Sequence, residues 1–123
     1  MSTHINDIPN AAVIAAAFPP AVMTETDAGP AIDLADADGP CFAVQLVGDV
    51  SSGDTVTGAL SESDDGDTWT AVTGGTFTVA SAAGVQTLRF VRTKRYLRWT
   101  GTIAGTDPSI PVAVVAGQQK KVF

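Results

Sequence analysis

The chain has 123 residues, 45% of them apolar and 16% charged, which excludes a wholly disordered protein and sets one domain with a modest core. Seven bases against thirteen acids leave a net charge of −6, a balance that repels nucleic acid at long range. One histidine and one cysteine exclude an internal disulfide and a transition-metal site of ordinary ligand count, and no cofactor is expected.

The charge is unevenly spread. Residues 1–88 hold twelve acids and no base, whereas residues 89–123 hold all seven bases and one acid, Asp107. Such a dipolar chain points to self-association or docking through opposite charge. Many of the apolar residues are alanines and aromatics make up 7%, so part of the apolar surface is expected to be buried against a partner.

Residues 1–23 read as an N-terminal arm and residues 24–123 as the domain. Asn10 is placed to cap a short helix that Pro19-Pro20 would end. The β-branched Val13 and Ile14, punctuated by Pro9, Pro19 and Pro20, favour an extended segment instead. The apolar run Ala11–Phe18 is too short to span a bilayer, and the terminus lacks the basic start of a secretory signal, so a protein made in the cytosol that stays soluble is expected.

Strand signals become regular from Ala31. Ala31–Leu34 is short, and Asp36–Pro40 reads as a turn. Cys41–Gly48 is apolar on both of its alternating faces, the pattern of an interior strand, and makes Cys41 a buried, inert thiol. Thr55–Ser63, Thr68–Val72, Thr76–Ala80, Val85–Val91, Arg95–Ala104 and Ile110–Ala116 follow, and Gln118–Phe123 reads as a tail. In Arg95–Ala104 the residues Leu97, Trp99 and Ile103 share one face, so this is the expected central strand. About eight short strands at turn spacing predict an all-β chain, a single antiparallel β-sandwich of jelly-roll type.

Two stretches invite a functional reading. The acidic turn Ser61–Trp69 partly matches an Asp-box (Asp64-x-Gly66-x-Thr68-Trp69), a folding element in its families. It also gathers four carboxylates, but without the ligand spacing or distal Glu of a calcium loop, so a structural hairpin is expected. The basic run Arg89, Arg92, Lys94, Arg95 and Arg98 interleaves Phe90, Tyr96 and Trp99, as a nucleic-acid face does. Phe90 and Trp99 fall on the apolar phase of their strands, which favours core over stacking platforms and makes nucleic acid an unexpected partner. His4 lies in the arm, so no Ser-His-Asp or Cys-His pair forms unless the terminus folds back over Cys41, and an enzyme is not expected.

From Ala31-Ile32-Asp33-Leu34 through Val47-Gly48-Asp49-Val50, Leu60–Val72 and Lys94–Arg98 to Ile103-Ala104-Gly105-Thr106, the chain resembles the capsid cement or decoration proteins of tailed bacteriophages. The likeness covers about residues 28–117. It implies a homo-oligomer, often a trimer, on the outside of the virion head at junctions of the major capsid protein, with no membrane partner and no catalytic residues. On that reading Ile8, Val13, Ile14 and Phe18 of the arm and the bases Arg92, Lys94 and Arg95 are the expected contact residues. A carbohydrate- or receptor-binding sandwich, or another small virion protein such as a head-fibre base or tail component, is the rival expectation.

Overall fold

The computed structural model describes residues 12–35 and 37–120. Its elements are all strands: β1 (Ala12–Met23), β2 (Asp27–Ala28), β3 (Ile32–Asp33), β4 (Ala37–Val47), β5 (Thr55–Ser63), β6 (Thr70–Thr76), β7 (Gly84–Phe90), β8 (Tyr96–Ala104) and β9 (Ile110–Lys120). They form two antiparallel sheets. Sheet I has the order β1-β9-β4-β7, and sheet II the order β2-β8-β5-β6, with β3 also on β8. Between β2 and β3 the amide of Gly29 donates to Trp99 O at 2.8 Å, and beyond β3 that of Leu34 donates to Arg95 O. Asp27–Leu34 therefore acts as one interrupted strand along β8. Apart from that segment and the β5–β6 hairpin, each successive strand crosses to the other sheet. The all-β sandwich expected from the strand spacing is what the chain forms.

The inner faces follow the alternation in the sequence. On β8, Leu97 and Trp99 are fully buried while Tyr96, Arg98 and Thr100 stand half-buried on the outer side. Trp99 is the centre of the core. Phe18 of β1 tilts against it with ring centroids 4.9 Å apart, and its indole Nε1 donates to Gln45 Oε1 of β4 at 3.0 Å, joining the two sheets. The ring fits because its neighbours lack side chains. A Cβ on Gly101 would stand 2.3 Å from the Trp99 ring, and one on Gly58, its cross-strand partner, 1.9 Å from Gln45 Oε1.

Several expectations need correction. Residues 12–23 are not an arm beside the sandwich but an edge strand of sheet I, paired with β9 from Ala12↔Gln119 to Met23↔Ile110. Ala17, Phe18 and Met23 are buried, so apolar residues set aside for a partner belong to the chain's own core. The segment is extended, as Val13 and Ile14 favour, and Pro19-Pro20 ends no helix; it lies within the register shift between Phe18 and Ala21 on the sheet edge, where a missing amide is tolerated. Of the turn expected at 36–40, residues 37–40 are the start of β4, where Gly39 at φ 86° accompanies a register shift between Ala37 and Cys41. Thr76–Ala80 is reduced to the bridge Val56↔Ala80, and the tail from Gln118 is taken into β9 as far as Lys120.

Candidate functional site

The expected contact residues do not form one surface. Ile8 lies outside the described residues, as does His4. Val13 pairs with Gln118 in β1. Ile14 is exposed, while Phe18 is in the core against Trp99. The three bases lie together in the β7–β8 connection, but they are largely turned to the chain itself.

Arg92 closes one end of the sandwich. Its Nε donates to Gln118 Oε1 at 2.6 Å, Nη1 to Lys94 O at 2.7 Å, and Nη2 to Leu34 O and Ala37 O at 2.6 and 2.8 Å. One guanidinium thus satisfies three backbone carbonyls and ties β9, the β3–β4 connection and its own loop together. Buried Glu62 of β5 holds the same loop from the other side. Its Oε1 accepts the amides of Thr93 at 2.6 Å and Lys94 at 3.0 Å and the Thr93 hydroxyl at 3.0 Å. Cys41 is fully buried near this clasp, and burial pushes its thiol pKa up, so the inert-thiol expectation is met.

The other two bases meet acids of the same chain. Arg95 makes a fork-like pair with Asp33, Nε to Oδ1 at 2.9 Å and Nη2 to Oδ2 at 2.7 Å, and its guanidinium lies 5.1 Å from the Tyr96 ring centroid. The Arg95 guanidinium and the Ala35 amide hold the Asp33 carboxyl at about 2. Lys94 reaches Asp64 at 3.9 Å across an exposed gap. The separation of acids and bases along the chain is therefore partly consumed in folding: the basic loop docks against acids contributed earlier. Arg92, expected as a contact residue, spends its guanidinium on backbone carbonyls and Gln118.

The acidic turn is a self-contained hairpin. Asp65 Oδ1 accepts from the Ser63 hydroxyl and the amides of Asp67 and Thr68 at 2.8–2.9 Å, and the Gly66 amide donates to Ser63 Oγ. Those donors hold the Asp65 carboxyl at about 2. The residue that turns the chain is Asp65, one place after the aspartate of the Asp-box pattern. Gly66, at φ 81°, supplies the left-handed step. Trp69 leaves this turn with the Arg98 guanidinium 4.3 Å from its ring centroid, so one ring face is already taken.

What the sequence reasoning did not single out is the outer face of sheet I. The cross-strand row Ala113–Leu46–Val85 and its neighbour Val115–Val44–Thr87 point away from the core. Ile14, Val22, Leu46 and Val85 are exposed by 43–62%. At one end of this face Pro20, Val22, Leu46, Pro111 and Ala113 line an open apolar groove of about 540 Å³. The signal was present in Cys41–Gly48, whose two phases are both apolar. One phase fills the core and the other makes this face.

No family model matches the chain, and no curated protein matches it.

Proposed function

We propose that the chain is a virion structural protein of a tailed bacteriophage that binds the outside of the capsid lattice and stabilises it. The observation that carries the reading is the strand order. The order β1-β9-β4-β7 facing β2/β3-β8-β5-β6, with nearly every connection crossing between sheets, supports a jelly roll, an architecture recurrent in viral capsid and lectin domains. The apolar outer face of sheet I adds to it, since a protein that acts by assembly needs surface to bury. Binding only to the assembled lattice would stabilise it by mass action, and many copies in symmetric positions would multiply the effect. The partners on this reading are the major capsid protein and further copies of the chain.

Lectin-type binding is the second reading, since it shares the strand order and places Trp69 and Tyr96 on the outer side of sheet II. Arg98 over Trp69 weighs against it by occupying a face a sugar would stack on. Mass spectrometry of purified virions tests the first reading: the chain is expected in fixed ratio to the major capsid protein, and its absence from particles overturns the proposal. A glycan array, read by Trp69 fluorescence, tests the second.

A further inference from the structure

The four strands of sheet I present a face that no described element covers. With strands about 4.8 Å apart and three outward rows about 6.8 Å apart, it extends over about 400 Å². Of the side chains described on it, Arg89 alone is charged, although the chain carries thirteen acids and a net −6. Two copies of an acidic chain repel at long range, and the described side chains of this face bring no acid to a contact between them.

The edges of the sheet do not offer an easier contact. Edge strand β1 carries Pro19-Pro20 within the register shift between Phe18 and Ala21. At the other edge strand, β7, the Gln86 side chain accepts from the Thr78 amide and donates to Thr78 O, both at 2.9 Å, which holds the β6–β7 connection against β7. Both features discourage growth of the sheet sideways. Sheet-on-sheet packing at about 10 Å is what remains for an apolar antiparallel face.

We infer that the outer face of sheet I packs on the same face of a second copy of this chain, around a two-fold axis. Two such faces remove about 800 Å² from water, below the range of stable specific interfaces and within that of weak ones, so the pair forms reversibly. A patch whose one described charge, Arg89, stands on edge strand β7 carries little code for a differently charged partner, and a two-fold contact needs none, since the patch meets itself. This pairing is independent of the cement reading and stands apart from the trimer implied by the resemblance.

Sedimentation equilibrium of the full chain, from about 1 to 500 μM and with no capsid present, is the test. A monomer–dimer equilibrium is expected, weakened at least tenfold by Leu46→Glu and by Val22→Glu at unchanged melting temperature. Thr102→Glu, exposed on sheet II, should leave it untouched. Should Leu46→Glu misfold, Val22→Glu decides, because that side chain is 59% exposed. A monomer at all concentrations, a trimer, or a dimer indifferent to the face variants overturns the inference. A monomer whose dye-accessible apolar surface rises on deletion of residues 1–11 gives the face to the chain's own N-terminal segment. A monomer that loses binding to empty heads through Leu46→Glu gives it to the lattice, leaving the cement reading intact and this pairing refuted.

Discussion

On the outer side of sheet I the cross-strand rows read Ala113–Leu46–Val85 and Val115–Val44–Thr87; on that of sheet II they read Thr57–Thr102, Ala59–Thr100 and Ser61–Arg98. Both sheets bury their other face on the same core around Trp99. Hydroxyls, Arg98 and the Asp33–Arg95 pair suit sheet II to water, while sheet I loses apolar contact for every residue left outside. Burial of the inner face alone explains why each strand alternates, but not why one outer phase is valine and the other threonine. That difference teaches where assembly is to be sought.

The comparison holds only while the two sheets stay locked back to back, and the largest expected effects come from unlocking them. Removing residues 1–20 takes most of β1 and deletes Ala17 and Phe18 from the core. The expected result is loss of cooperative melting, whereas removal of residues 1–11 leaves β1 complete and the melting transition in place. Thermal denaturation followed by circular dichroism compares the two. Trp99→Ala comes next, at about 3–5 kcal/mol, because it empties a large volume between the sheets. It also strands Gln45, whose Nε2 already lacks a partner. Trp99→Phe should cost less than Trp99→Ala in urea titrations, and equal costs would mean the buried amide, not the cavity, dominates.

Arg92→Ala opens the end of the sandwich rather than either face. Three carbonyls and Gln118 lose a charged donor, for which about 2–3 kcal/mol is expected. Arg95→Ala, removing an exposed pair, should cost less than 1 kcal/mol. The contrast separates a structural base from a surface one. Two similar values would show that Arg92 is free for a partner after all.

The strands were legible where burial is one-sided. Thr55–Ser63 and Arg95–Ala104 alternate so regularly that the sequence places β5 to the residue and β8 to within one. Trp99 could be assigned inward for the same reason. Residues 12–23 were harder, because Pro19-Pro20 signals a break and nothing local reveals that β9 supplies a partner for an edge that skips residues. Asp27–Ala28 is two residues long and exists only because β8 offers free backbone groups. The basic run illustrates a different limit. Its composition is plain in sequence, but whether a guanidinium meets carbonyls, a carboxylate or solvent depends on contacts up to 62 residues away. The apolar second phase of Cys41–Gly48 was visible, and its meaning required knowing that no described element lies over it.

The smallest expected effect is the response to acid, and it falls on the sheet II side. Asp33 and Asp65 both hold folded pKa values of about 2, against an ordinary 3.8. A carboxyl depressed by folding contributes stability that is fully present above its unfolded pKa and is lost as pH falls through the folded value. The melting temperature should therefore be independent of pH through these two groups above about pH 5, where their contribution is full, and should decline between about pH 4 and pH 2. Asp33→Asn and Asp65→Asn should each flatten that decline. Salt tells them apart. At about 1 M ionic strength the screening length is about 3 Å, so the exposed Asp33–Arg95 attraction fades, while Asp65, held by donors of its own turn, keeps its share. A wild-type melting temperature unchanged from pH 5 to pH 2 would mean that neither carboxylate is held by the fold. A decline abolished in Asp65→Asn and untouched in Asp33→Asn would place the whole acid response in the hairpin and leave the ion pair beside Tyr96 as surface decoration.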